Sequence, residues 1–117
     1  MEAIIREATS EDYEVLCELF DEVDALHRDH LPHIFRTPTG PVRERAYYQG
    51  LITDENTGLF LAEVNGSVVG FVHAVIRDAP ALPIFIPRRY AVVDNLGVKS
   101  DFRGGSIGRR LADAENP

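Results

Sequence analysis

Apolar residues recur at helical spacing near the start of the chain and form one stripe: Val15, Leu16, Leu19, Phe20, Val23 and Leu26. This spacing predicts an amphipathic helix. Thr9 precedes the stripe and offers a hydroxyl cap, and Glu11 and Asp12 place negative charge in the first turn, where the helix dipole favours it. Pro32 should end the helix, because proline cannot continue its hydrogen bonding.

The pattern in the second half of the chain is typical of β-strands. Runs of apolar and β-branched residues at Leu59 to Val64 and Val68 to Ile76 flank Asn65-Gly66. Both turn residues tolerate positive φ, so the segment predicts a β-hairpin. Another strand is predicted over Arg88 to Val98, after a proline-containing connection.

A short first strand and two further helices complete the predicted order. The strand is expected at Ala3 to Arg6. Pro41 suits the first turn of a second helix that would end near Leu51, and a third helical pattern begins at Ser106. The order of elements predicts a single α/β domain over residues 1–117, of the α+β type, with a mixed, mainly antiparallel sheet flanked by helices.

Composition narrows the class of protein. The 117 residues are 44% hydrophobic and 26% charged, as in an ordinary globular domain. Nineteen acidic and twelve basic residues give a net charge of −7, which argues against nucleic acid and anionic membranes as partners. Cys17 is the only cysteine, which excludes an internal disulfide. The chain shows neither a signal-peptide pattern nor a membrane-spanning run, so we expect a cytoplasmic protein.

The segment from Asp94 to Leu111 carries the candidate chemistry. A strand leads into a glycine-rich turn, and the turn opens a helix whose first amides lack internal partners. Such amides bind phosphate, and glycine lets a ligand approach the backbone closely. Half of the twelve basic residues lie between Arg88 and Arg110. A plain strand-to-helix turn is the alternative. The spacing matches neither a P-loop nor the dinucleotide-binding fingerprint.

The same segment resembles the acetyl-CoA-binding segment of the GNAT N-acetyltransferases. Leu96-Gly97-Val98 matches the family's strand end, and Arg103 and Gly108 match the two ends of its Arg/Gln-x-x-Gly/Ala-x-Gly/Ala signature. The order of elements is also that of the family. The resemblance therefore implies a GNAT-like acyl-CoA N-acyltransferase fold, and Ser106, where the family prefers glycine or alanine, is a departure from it.

In this family acetyl-CoA is the co-substrate, and an amine attacks its thioester directly. The resemblance implies that Leu96 and Val98 pair with the pantetheine arm. It implies that the pyrophosphate and its surroundings are bound by the following turn and helix start: Arg103, Gly104, Gly105, Ser106, Ile107, Gly108 and Arg109. The acceptor would be a primary amine of a small molecule or peptide. Ser106 either crowds the pyrophosphate or donates a hydrogen bond to it.

A proton acceptor is also needed, because an alkylammonium must become neutral before it attacks. Asp94, two residues before Leu96, is our candidate. The alternative is that Asp94 and Asn95 only satisfy backbone groups at a bulge.

The family domain normally continues beyond the third helix. We therefore expect the C-terminal strands and the general acid of the family to be missing from this chain. The fourth strand would then be an unpaired edge. The alternative function is a non-catalytic CoA-binding or assembly module that oligomerises through that edge, and a homodimer or higher oligomer is expected.

Histidines recur at His27, His30 and His33, and the spacing raises the question of a metal site. Because Pro32 separates the third from the helix, we favour a solvated helix end and expect no metal. His73 lies in a predicted strand and is expected to be a packed or hydrogen-bonded sheet residue.

Overall fold

The computed structural model describes residues 3–41 and 43–115. The elements are β1 Ile4–Glu7, α1 Tyr13–His30, α2 Arg45–Thr53, β2 Thr57–Val64, β3 Ser67–Asp78, β4 Arg89–Val98 and α3 Ile107–Ala114. The four antiparallel strands form one sheet in the order β1-β2-β3-β4, so neighbours in sequence are neighbours in the sheet. Helices α1 and α2 connect β1 to β2, and α3 follows β4. The predicted α/β fold with an antiparallel sheet is confirmed.

Helix α1 covers one face of the sheet with its apolar stripe. Leu16, Leu19 and Phe20 are buried there, and the Phe20 and Phe71 rings meet edge to face at 4.9 Å. The helix ends at His30, two residues before Pro32, as predicted. Leu26 is 52% exposed, so the buried part of the stripe ends earlier than its spacing predicts.

The start of α1 differs from the simple cap that the sequence predicts. A short 3-10 turn occupies Ser10–Asp12, and the α-helix begins only at Tyr13. The Asp12 carboxylate accepts hydrogen bonds from the Thr9 amide at 2.8 Å and from both terminal nitrogens of Arg6. The bonds from Arg6 lower the pKa of Asp12 below its ordinary value. The junction between β1 and α1 is therefore held by a carboxylate.

The hairpin between β2 and β3 is confirmed. Asn65 has φ 52° and Gly66 has φ 81°, the left-handed conformation that this turn sequence favours. Val64 pairs with Ser67 directly beside the turn.

The predicted start of the second helix at Pro41 is wrong. Helix α2 begins at Arg45, and Glu44 before it is extended. The physical reason lies at Arg43, whose guanidinium bonds Asp24 at 2.9 Å and whose carbonyl accepts the Tyr13 hydroxyl at 2.5 Å. These contacts with α1 hold Arg43 outside the helix that Pro41 could otherwise have opened.

Helix α3 packs on the opposite face of the sheet. Leu111 is fully buried among small and β-branched residues of β2 and β3, and Ile107 packs against the same cluster. Glu115, just after α3, is only 3% exposed, and this burial raises its pKa to about 7. No described helix is long and apolar enough to cross a bilayer.

Candidate active site

The centre of β4 carries a β-bulge. Asn95 lies opposite His73, and Val93 lies opposite Ala74, so Asp94 is the extra residue. In a bulge of this kind the strand twists locally and a side chain is re-aimed. His73 and Asn95 face α1 and α2, because His73 is also opposite Leu59, a member of the core on that side. Asp94 is exposed beside them.

His73 is buried on this face without a hydrogen-bond partner. The side chain is 7% exposed, and its Nε2 atom finds no acceptor or donor among the described residues. Burial lowers the pKa of His73 below its ordinary value, while the charge of Asp94 acts to raise it and that of Arg43 to lower it. The imidazole is therefore neutral at neutral pH and lies in the field of two opposite charges.

Arg43 precedes α2 and contacts α1. Its guanidinium bonds Asp24 and lies 4.8 Å from the centre of the Phe20 ring. Arg43 and Asp24 also line a cavity of about 510 Å³ between the end of α1 and the loop before α2. Phe35 lines the same cavity. Tyr48 belongs to the core, whereas Tyr47 is 52% exposed.

The glycine-rich turn follows β4 at the other end of the site. Gly104 adopts φ 85°, and a side chain at Gly104 or Gly105 would meet no atom within 4 Å. None of the backbone amides from Gly104 to Arg109 donates a hydrogen bond to a described residue. Ser106 precedes α3, is exposed and makes no side-chain capping bond. The turn therefore presents unbonded amides to open space.

The three arginines around this turn have different partners. Arg103 donates from Nε to the Val98 carbonyl at 2.7 Å, which fixes the turn to the end of β4. Arg110 donates from Nη1 to the Ala3 carbonyl at 2.6 Å and so ties α3 to the start of the chain. Arg109 is exposed and, within the described chain, makes no hydrogen bond or ion pair through its side chain. Of the three, Arg109 is thus the arginine whose side chain the described residues do not engage.

Gly97, between Leu96 and Val98 at the end of β4, is required by the close packing of this strand against α1. A Cβ on Gly97 would lie 2.8 Å from Phe71 and 3.0 Å from Val23, so the strand can approach α1 only with glycine there. Leu96 points to the opposite face and is 42% exposed, and Val98 is partly buried against α3. A cleft of about 170 Å³ separates α1 from this end of β4 and reaches Arg103.

The predicted site residues lie along one strand and the turn that follows it, from Asp94 to Arg109. The ion pair between Arg43 and Asp24 has no signal in the sequence. The bulge, which the sequence left open as the alternative for Asp94 and Asn95, is present opposite His73 and Ala74. The remaining histidines do not converge: His30 Nδ1 lies 2.9 Å from the Leu26 carbonyl, and His27 stacks on Phe35. No group of metal-binding side chains occurs within residues 3–41 and 43–115.

Comparison with protein families gives a match to the model of the acetyltransferase (GNAT) family over residues 20–114. The matched part runs from α1 to the end of α3. It includes the bulged strand and the whole glycine-rich turn.

Individual relatives agree with this match. The chain is 31% identical over 67 residues to an uncharacterized N-acetyltransferase of Archaeoglobus fulgidus, a match that covers 57% of this chain and 44% of that protein. The chain therefore matches less than half the length of that relative. Among solved structures, a mutant of the BH1408 protein from Bacillus halodurans matches 95% of this chain and 71% of its own, with 28% identity and a TM-score of 0.84. A ribosomal-protein-alanine N-acetyltransferase from Brucella melitensis biovar Abortus matches with 26% identity, a TM-score of 0.67 and coverage of 97% and 69%.

Proposed function

Because the chain belongs to the acetyltransferase (GNAT) family, we propose that it binds acetyl-CoA and transfers the acetyl group to a primary amine by direct attack. The observation that carries this proposal is the turn from Gly104 to Arg109, whose amides are unbonded and open at the start of α3. Unbonded amides at a helix start, with the helix dipole behind them, suit a diphosphate.

The residues around the turn fit such a ligand. Gly104 and Gly105 leave room for the diphosphate against the backbone, and Ser106 has an uncapped hydroxyl to donate. Arg109 adds a positive charge at the rim. The free edge of β4 at Leu96 and Val98 offers backbone groups to an amide-containing arm, since β4 is the last strand of the described sheet. Acetyl-CoA would supply the activated acyl group as a thioester.

The remaining roles belong to the bulge and to the cavity beside α1. Asp94, exposed at the bulge, is the residue that we propose receives the acceptor ammonium and helps remove its proton. The cavity near Phe35 and Arg43 is where we place the rest of the acceptor, a small molecule or a peptide. We place the protein in the cytoplasm, where the single free thiol of Cys17 would remain reduced.

Titration calorimetry with CoA tests the first step of this proposal, and transfer from acetyl-CoA tests the second. We expect saturable binding of CoA, followed by acetylation of at least one member of an amine panel that includes peptides beginning with alanine. A folded chain that shows no heat with CoA would contradict the proposal at its first step. A chain that binds CoA but acetylates nothing would contradict only the second.

A non-catalytic assembly module is the second candidate, and the exposed edge of β4 favours it. Val92 and Val93 on that strand are 38% and 45% exposed, and Ile84 and Ile86 in the preceding loop are 82% and 81% exposed. An unpaired edge beside apolar side chains promotes pairing with another strand. Light scattering separates the candidates further: a homodimer or larger assembly with CoA binding but no transfer is the result that the assembly module predicts.

A further inference from the structure

The buried imidazole of His73 faces the same side of the sheet as the bulge that carries Asp94. We propose that His73 and Asp94 form one proton-accepting pair, in which His73 takes the proton of the acceptor amine and Asp94 stabilises the imidazolium that results. The proposal rests on the acetyltransferase function proposed above. It gives His73 a role that its place in a strand does not predict.

The bulge supplies the geometry for this pair. Because Asn95 lies opposite His73 and Val93 lies opposite Ala74, the chain inserts Asp94 where a regular strand would have no residue. A bulge of this kind bends the strand locally and re-aims a side chain. Asp94 is exposed, whereas His73 is buried, and the charge of Asp94 acts on the imidazole. Asp94 is therefore the accessible member of the pair and His73 the buried one.

The unpartnered nitrogen supplies the second observation. Buried polar atoms in proteins almost always have a hydrogen-bond partner. The Tyr48 hydroxyl on the same face follows that rule and bonds the Thr9 carbonyl at 2.5 Å, whereas Nε2 of His73 has no partner among the described residues. The described residues therefore do not hold this nitrogen in a hydrogen bond, which leaves it available for a proton.

The charges around His73 suit a base that is neutral before the reaction. Burial disfavours the imidazolium, and Arg43 on the α2 side opposes it as well, whereas Asp94 favours it. Leu59, opposite His73 on β2, contributes no charge. Arg43 is itself paired with Asp24 of α1, so its repulsion is partly compensated. The imidazole is thus uncharged at neutral pH and has a free electron pair for a proton.

The proton step is simple to balance. The acceptor ammonium loses a proton, and the electron pair of the broken N–H bond stays on the amine nitrogen. The proton binds the free electron pair of a ring nitrogen of His73 and gives an imidazolium beside the Asp94 carboxylate. The imidazolium afterwards returns the proton to solvent. No oxidant, reductant or metal takes part.

The test combines the titration of His73 by NMR with the pH dependence of acetyl transfer, both on the full chain. The His73 ring signal is identified by its loss in His73→Gln. We expect its midpoint to lie below about 6.5, the value for a free imidazole, and to fall further in Asp94→Asn because the favourable carboxylate charge is gone. Asp94 is exposed, so this second variant leaves the core intact if His73→Gln does not fold. An unchanged midpoint in Asp94→Asn would overturn the pair.

The kinetic arm tests the proton transfer itself. In the wild type, kcat should rise with pH through the His73 midpoint and then level off. His73→Gln should lower kcat about a hundredfold and remove this step from the profile, with CoA affinity unchanged. The matched control is His33→Gln, in an exposed loop, which should reproduce the wild-type profile. If His73→Gln keeps the wild-type profile while acetyl transfer proceeds, the role of His73 is wrong and the proposed function stands. If the wild type transfers no acetyl group to any amine, the proposed function and this role both fail.

Discussion

Two turns in this protein use a glycine with positive φ, and they differ in what surrounds it. Gly66 at φ 81° joins β2 to β3, and the residues beside the turn, Val64 and Ser67, pair with each other. Gly104 at φ 85° joins β4 to α3, and the amides that follow it donate to no described residue. The backbone conformation is nearly the same, but the first turn completes a ladder and the second leaves donors open.

The difference separates a requirement of the fold from a requirement of a ligand. A positive φ explains why glycine is favoured at both turns. It does not explain why a second glycine follows at position 105, where a side chain would meet no protein atom. Space that the protein itself does not need, next to unbonded amides, is what a bound anion would use. Substitutions at the two turns can therefore test this contrast.

The largest effect is expected for Gly105→Val. The new side chain has room in the free protein, so the free energy of unfolding should change by less than about 0.5 kcal/mol. It would occupy the approach to the amides, and CoA affinity should fall by about a hundredfold or more, close to 3 kcal/mol. Calorimetry and chemical denaturation measure the two quantities.

Gly50→Val is the matched control for added bulk. Gly50 also has no atom near its Cβ position, but it lies in α2, away from the turn. This variant should bind CoA like the wild type. If Gly105→Val also binds CoA normally, the open space beside the turn has no ligand role.

The next effect concerns Glu115, which follows α3 at the end opposite the open turn. The Glu115 pKa of about 7 lies above its ordinary value of 4.5, so the folded chain holds a proton that the unfolded chain releases. The free energy of unfolding should therefore decrease as pH rises from about 4.5 to about 7, by about 3 kcal/mol, and then level off. Glu115→Gln should flatten this dependence, since the amide does not ionise.

Urea denaturation across this pH range measures the decrease. Hydrogen exchange shows where the stability is lost. The amides of α3 should lose protection with rising pH more than those of the hairpin. An equal pH dependence in wild type and Glu115→Gln would show that the carboxyl is not buried as described.

The positions of both turns and the end of α1 could be predicted from sequence, because they depend on residues close together in the chain. Asn65-Gly66 between β-branched runs predicts its hairpin, and Pro32 predicts the end of α1; both are confirmed. Gly104 and Gly105 predict the turn between β4 and α3 at its correct position. Helix α1 and strand β3, the two longest elements, are predicted well because the spacing of their apolar residues indicates which face is buried.

The remaining features depend on contacts between distant segments. Arg43 bonds Asp24 and Tyr13 of α1, which delays the start of α2 beyond Pro41. The bulge at Asp94, which the sequence offered only as an alternative, is set by the pairing of β4 with β3. Arg103 and Arg110 each donate a side-chain hydrogen bond to a backbone carbonyl, of Val98 and of Ala3. A local pattern contains no information about such partners.

A smaller effect is expected when the positive-φ glycines are replaced. Gly66→Ala and Gly104→Ala should each lower the free energy of unfolding by about 1 kcal/mol, because a Cβ is strained at these angles. Only Gly104→Ala should also weaken CoA binding, since only its turn faces the ligand. Thermal denaturation and calorimetry on the pair measure both effects. Weakened CoA binding in Gly66→Ala would contradict the distinction between the turns.

The smallest effect is expected at the rim of the open turn. Arg109→Gln should weaken CoA binding a few-fold, about 0.5–1 kcal/mol, and the loss should shrink as salt is added, because the arginine is exposed. Arg110→Gln is the matched control: it loses the bond to the Ala3 carbonyl and should lower stability, but CoA affinity should hold. Equal losses of affinity in both variants would contradict the distinction between these arginines.

The backbone amide spectrum of the chain, recorded during titration with CoA, examines the two turns in one experiment. If the diphosphate is bound where we propose, the amide resonances of residues 104–109 shift and saturate together, while those of Asn65 and Gly66 stay in place. A titration in which CoA binds but the amides after Gly104 do not move would contradict the account.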